Sequence, residues 1–373
     1  MPANFTGSKR RTLMVAAMLT LLLLVTPSLW GGTLYVQTNI VSNGAVSASF
    51  TDTNLVNPWG NVSNPAFLSP FWVSDQMSGK STVYSTPPGT PVLTVSIPGG
   101  NATGIVANTT TGFNVSGSPA AFIFATLLGQ ISGWNGGGSA VTAQTVSGAV
   151  FTGLAQASNA SGTFLYAADF KNGNIDVFNS SYTKTTLSGS FTDPNLPAGY
   201  HPYNIQTVNG KLYVEYAPIS GGLPKVGPGN GVVDVFNTNG VFVQRLISNG
   251  GPLNVPWGIA LAPSNFGQFS GDLLVGNFGN GWINAFNPKS GTFVGTLDVT
   301  GGTPFAEPAL WSLNFGIGGN GGTPGVLYFT SGLTLAQTGG LLGSLSVPTP
   351  EPATLTLLGT ALIGLLGLGR RKR

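Results

Sequence analysis

The sequence predicts an all-β fold arranged as a six-bladed β-propeller, and three observations predict it. Six segments repeat one order of short strands, turn dipeptides separate those strands, and no long helical apolar period occurs between residue 33 and the C-terminal tail. The repeat begins with NPWGNV (57–62), ATGIVA (102–107), FTGLAQ (151–156), PYNIQT (202–207), PWGIAL (256–261) and LWSLNF (310–315). Counted from Gly60 through Gly104, Gly153, Asn204 and Gly258 to Ser312, the steps are 44, 49, 51, 54 and 54 residues. Four strands at a spacing near 50 residues make one propeller blade.

Each strand follows in order. The second is rich in aromatic and β-branched residues, as in FWVSD (71–75), FLYAAD (164–169) and KLYVEY (211–216). The third often ends in Phe-Asn, as in NIDVFN (174–179) and VVDVFN (232–237). Asn172-Gly173, Asn209-Gly210, Asn239-Gly240 and Asn280-Gly281 mark tight turns, because both residue types tolerate positive φ. The last unit reaches only LLGSLS (341–346) before a Pro-rich linker, while LYVQTNIVS (34–42) has no unit of its own. The N-terminal strand is therefore expected to close the last blade, which removes two exposed edges. A pair of β-sandwiches is the alternative architecture.

Composition narrows the function classes. Of 373 residues, 56 are Gly and only 7% are charged, against roughly 25% in ordinary soluble domains. With 42% hydrophobic residues the chain can bury a large core behind a surface of Asn, Ser, Thr and Gly. The net charge of +3 comes from the ends; between them lie seven basic and ten acidic residues, a net of −3. Nucleic acid is excluded as a partner, since it needs clustered Lys and Arg. The absence of Cys removes thiol chemistry and Cys-based zinc.

Both ends read as targeting segments. Lys9, Arg10 and Arg11 precede an apolar run from Thr12 to Val25, the pattern of a secretory signal peptide, which places residues 1–32 outside the mature fold; an uncleaved anchor is the alternative. At the other end, Pro350, Glu351 and Pro352 precede an apolar run from Ala353 to Leu368 and then Arg370, Arg371, Lys372 and Arg373. A helix over that run reaches ~24 Å, slightly short of a comfortable span, and is expected to form a C-terminal transmembrane helix with the basic residues held on the cytoplasmic side.

These three parts, in this order, resemble the PEP-CTERM sorting signal. The resemblance implies a Gram-negative host that makes exopolysaccharide, and an exosortase that cuts near Pro350-Glu351-Pro352. It also implies transient anchoring in the inner membrane, followed by placement at the cell surface or outside the cell. Residues 33–347 form the propeller and 348–373 the sorting tail. FLYAADFKNGNIDVF (164–178) is also similar to the blades of PEP-CTERM propellers and, more distantly, of NHL and SMP-30 type propellers.

Candidate chemistry is sparse. Alignment of the units puts Asp75, Thr126, Asp169, Tyr216, Asn277 and Ser331 at the ends of the second strands, with Glu215 beside them. Such ends are expected to open onto one face around the channel, where Asp75, Asp169, Glu215 and Asn277 are candidate ligands for a hard cation such as Ca²⁺. The SMP-30 resemblance would then imply a metal-dependent hydrolase or lactonase. The competing expectation is that these residues satisfy turns, with no cofactor. The single His, His201 in GYHPYN, is expected in an extended loop and has no G-x-S-x-G companion. The Gly runs at 133–139 and 316–322 lack the phosphate-loop pattern and read as loops. Trp59, Trp257 and Trp311 recur at blade starts and are expected in inter-blade core, with an aromatic platform for sugars as the alternative. The sequence thus favours a non-enzymatic binding or structural module, linked to exopolysaccharide, over the lactonase.

Overall fold

The computed structural model describes residues 32–86 and 89–348. Nearly all of the signal peptide, the motif Pro350-Glu351-Pro352, the apolar run after it and Arg370, Arg371, Lys372 and Arg373 lie outside the described residues. Among the described residues no helix is long and apolar enough to cross a membrane. The one helical turn among them is the 3₁₀ segment Gly267–Phe269.

The fold is an all-β propeller. Five consecutive blades are each built on four antiparallel strands, and the fourth blade adds a short fifth strand, Leu223–Pro224, beside Lys211–Ser220. Their innermost strands are Pro58–Val62, Ala102–Ala107, Phe151–Asn159, Tyr200–Val208 and Pro256–Leu261, which coincide with the predicted repeat starts. The sixth repeat unit is built into a larger, seven-stranded closing sheet with Leu310–Phe315 innermost. There Leu34–Ser42 pairs antiparallel with Leu341–Ser346, Val36 opposite Ser346 and Ser42 opposite Leu341. The N-terminal strand also runs parallel to Asp298–Val299 and Phe50–Thr51, so the sheet outgrows the other blades. Each innermost strand adjoins the next around the ring, and Leu310–Phe315 returns to Pro58–Val62.

Apolar residues alternate along the second and third strands and fill the spaces between blades. Phe151, Leu165 and Phe178 pack against Ile123 and Ile131 of the preceding blade. Tyr166 and Val177 meet Ile205, Val214 and Phe236. At the closure, Val41 and Leu342 pack with Phe71, Val73 and Tyr84 of the first blade. Polar residues recur at one register of the third strand and bond to the fourth: Asp176 pairs with Lys184 (2.7 Å), Asp234 with Arg245 (2.5 Å), and Asn284 accepts from Thr296 (2.8 Å). Arg245 also binds Asp193, so one guanidinium holds two buried carboxylates.

The repeated glycines have a steric cause. A Cβ on Gly104 would stand 2.4 Å from the amide nitrogen of Leu154, and one on Gly258 2.3 Å from the carbonyl oxygen of Trp311. Gly60 and Gly153 face their neighbours in the same way. These positions let one innermost strand lie directly on the next. Where the repeat carries Asn204 instead, its side chain reaches the next blade by donating to the carbonyl of Trp257 (2.5 Å).

Gly104→Ala and Gly258→Ala are each expected to lower stability by about 1–3 kcal/mol, the usual cost of overpacking. Gly138→Ala, whose Cβ would meet nothing within 4 Å, should be close to neutral. Denaturant midpoints measure this, and equal midpoints for the three variants would contradict it.

Candidate functional site

One end of the ring is filled. Trp59, Trp257 and Trp311, all buried, meet there with Tyr203, Phe170 and Phe278. Trp59 stacks on Trp311 with ring centroids 3.7 Å apart, while Trp257 stands edge-on to both at 6.0 and 5.7 Å. Trp257 donates its indole N–H to the carbonyl of Thr152 and Trp311 donates to Asn57 Oδ1, both at 3.0 Å. The three Trp were expected in inter-blade core, and they pack together there, from three different units, as a single aromatic plug. A residue that begins an innermost strand sits nearer the ring centre than the blade gaps, and large rings from several blades can fill that space together.

The chain turns into these strands through left-handed residues: Asn57 (φ 49°), Asn101 (φ 56°), Val255 (φ 56°) and Ala309 (φ 57°). Asn tolerates this conformation, whereas for Val it is strained. Val255 is held by packing within the plug cluster and by accepting from the amide of Phe278 (2.9 Å).

Further along the same strands a cavity of about 280 Å³ occupies the ring. Its lining comes from all six units and includes Asn61, Ser63, Gln156, Asn204, Gln206 and Asn314, with Ile105 and Leu154 as apolar wall. Among the described residues, no charged residue and no His lines it. Several of these side chains are fixed by the protein. Gln206 Oε1 accepts from the amide of Ile259 (2.6 Å). Asn314 Nδ2 donates to the carbonyl (2.6 Å) and the Oδ1 (2.5 Å) of Asn61. Gln156 Nε2 donates to Asn108 Oδ1 (3.0 Å).

The predicted ligand residues lie elsewhere. The second-strand ends pair with the beginnings of the innermost strands, Asp75 opposite Pro58, Asp169 opposite Phe151 and Asn277 opposite Pro256. They therefore sit toward the plug, whereas the cavity is lined largely from farther along those strands. None of Asp75, Asp169, Glu215 and Asn277 lines the cavity. Asp75 Oδ2 accepts from the amide (3.0 Å) and hydroxyl (2.8 Å) of Thr82 in its own blade. Asp169 accepts from the amides of Val150 and Asn172 and from the Asn172 side chain. Asn277 accepts from the amide of Asn254 (2.8 Å) and donates to the carbonyl of Trp282 (3.2 Å). Glu215 is fully buried, with neither carboxyl oxygen bonded to another residue.

As they stand these residues do not fit a shared Ca²⁺. Among the described residues no group of three or more Asp, Glu or His is placed to hold an ion. The predicted ligand residues are buried inside the blades rather than exposed on a channel face. His201 also departs from expectation: it lies in the strand Tyr200–Val208, opposite Ala217, with Nδ1 2.6 Å from the carbonyl oxygen of Phe170. The extended backbone before Pro202 is realised as a strand rather than a loop. The cavity residues were not singled out in the sequence, although Gln206 and Asn314 stand two residues after the repeat positions Asn204 and Ser312. Read with a two-residue period, that register marks side chains facing the channel.

Burial pushes the Glu215 carboxyl well above the ordinary range, and likewise that of Asp75. A raised folded-state pKa gives stability that is complete below the unfolded value and is lost as pH rises toward the folded one. Thermal stability should therefore fall as pH climbs above about 4.5. Glu215→Gln should flatten that slope and melt at or above the wild-type temperature at pH 8. An unchanged slope would contradict the assignment.

Comparison with known proteins places the chain. The PEP-CTERM protein-sorting motif matches residues 348–373. The fold is similar to a streptogramin B lyase structure, with TM-score 0.51 and 11% identity over 84% of this chain and 98% of that one, a likeness of fold alone. In sequence, the chain is 32% identical to uncharacterized protein R648 of Acanthamoeba polyphaga mimivirus over 297 residues, 74% of this chain and 72% of that protein. It is 30% identical to uncharacterized protein L690 of the same virus, over 74% of this chain and 77% of that protein. The chain carries a PEP-CTERM sorting tail and belongs to the family of the mimivirus proteins R648 and L690.

Proposed function

We propose that the chain is an exported, exosortase-sorted protein of the cell surface or extracellular matrix, whose propeller is a non-enzymatic binding module linked to exopolysaccharide. One observation carries this reading: the ring-centre cavity is lined by six structural units and only by uncharged side chains. A hydrolase needs a base, an acid or an activated nucleophile at its cavity. Here Asp75 and Asp169 are engaged within their own blades, and His201 is bonded to Phe170, so none stands at the cavity. Hydroxyls and amides remain, which are groups suited to binding. The tail supports the route, since a sorting motif of this type accompanies export and transient anchoring.

Sorting is tested by deleting residues 350–373. The variant should leave the membrane fraction as a soluble protein, while Glu351→Ala should accumulate with its tail uncut. Release by the deletion together with wild-type behaviour of Glu351→Ala would reduce the tail to a plain anchor. Binding is tested by sedimenting the protein with the host's own exopolysaccharide, where co-sedimentation is expected. Metal-dependent lactone hydrolysis, lost when Asp75→Asn and Asp169→Asn are combined, would replace this reading with the lactonase.

A further inference from the structure

We infer that the ring-centre cavity is a binding site for one neutral, polyhydroxylated sugar unit. The inference rests on the binding-module reading and names the ligand class for that site. Its size suits a small molecule, since about 280 Å³ lies near the lower end of the ~300–1,000 Å³ of small-molecule pockets.

Two lining groups are built but unused. Asn61 and Ser63 are buried, at 3% and 8% exposure, and Asn61 Nδ2 and Ser63 Oγ have no hydrogen-bond partner in the protein. Both atoms are closed off in the ring as it stands, and a buried polar atom without a partner carries a desolvation cost that a ligand relieves once a side-chain rotation turns the atom toward it. The orientation of the Asn61 amide follows from its neighbour. Asn314 Nδ2 is fixed as a donor because it also donates to the backbone carbonyl of Asn61, so the Asn61 atom beside it is the acceptor Oδ1. The remaining atom, Nδ2, is a donor without a protein acceptor. Two residues along the chain, the Ser63 hydroxyl can both donate and accept.

The rest of the lining selects for the same class. With no ionised side chain present, a charged ligand entering the cavity would lose hydration without a counter-charge. Ile105, Val106 and Leu154 offer an apolar wall for the C–H face of a sugar ring. Pro65 carries the lining into an exposed loop where Phe67, at 59% exposure, stands edge-on to Phe122. An exposed aromatic beside an amide-lined cavity can receive the next unit of a chain, so a free sugar and a chain end share this chemistry.

The test is calorimetric titration of the full chain. Its probes are glucose, galactose, mannose, N-acetylglucosamine, their neutral disaccharides, glucuronate, galacturonate and a blocked dipeptide. At least one neutral sugar should bind 1:1, and the uronates at least tenfold more weakly. A disaccharide that binds more tightly than its monosaccharide, with the gain removed by Phe67→Ala, would assign a chain end; equal affinities would assign a free sugar. Asn61→Asp keeps the acceptor that holds Asn314 and removes the unpartnered donor, so it should cost about tenfold or more in affinity. Ser63→Ala should also weaken binding, with an unchanged or higher melting temperature because no protein bond is lost. Binding of the uronates or the dipeptide in place of neutral sugars would overturn the sugar assignment and leave the binding module standing. Absence of binding by every neutral sugar would also overturn it. Conversion of a probe, followed by NMR in the same samples, would overturn the binding-module reading itself.

Discussion

A propeller has to close, and in this chain closure depends on the pairing of Leu34–Ser42 with Leu341–Ser346 across almost the whole length of the fold. Antiparallel pairing there satisfies two strand edges at once and brings the last innermost strand against the first. Everything at the centre of the ring follows from that contact. Trp59 can stack on Trp311 only when the two ends of the ring meet. The glycines then set how closely the innermost strands approach, and so the width left along the axis.

That axis is asymmetric in its chemistry. The end where the innermost strands begin is packed with Trp and Tyr, which fill the space and exclude water. Farther along, the same strands present Asn, Gln, Ser and Thr around an open cavity. The charged groups among the described residues stand away from this cavity, some of them paired within the blades, as in the Asp193, Arg245 and Asp234 cluster. With only 7% charged residues in the chain, few charges compete for the ring centre.

Much of the fold was legible because its signals are local and repeated. The PWG and TG starts, the Asn-Gly turns and the Phe-Asn ends each report one strand or one turn, and their spacing reports the blade. The orphan strand 34–42 and the missing last strand were legible together as a count. The site was less legible for a geometric reason. Asp75, Asp169 and Asn277 stand out by residue type, but the antiparallel register turns their strand ends toward the filled end of the ring. Asn61 reads only as part of the repeat start NPWGNV, with Ser63 just after it, until the bond from Asn314 shows which amide atom is left over. Val255 gave no sign of its left-handed backbone, because packing and a hydrogen bond hold it there against its own preference.

Ring closure is open to a direct measurement, since the native chain has no Cys to interfere. Val36 and Ser346 are register partners, and directly opposed antiparallel residues stand about 4.5–5.5 Å apart at Cα, within disulfide range. The full chain carrying Val36→Cys and Ser346→Cys should form one intramolecular disulfide under mild oxidation and melt at a higher temperature than its reduced form. Free thiols that persist in the folded protein, or cross-links only between molecules, would contradict closure by the N-terminal strand.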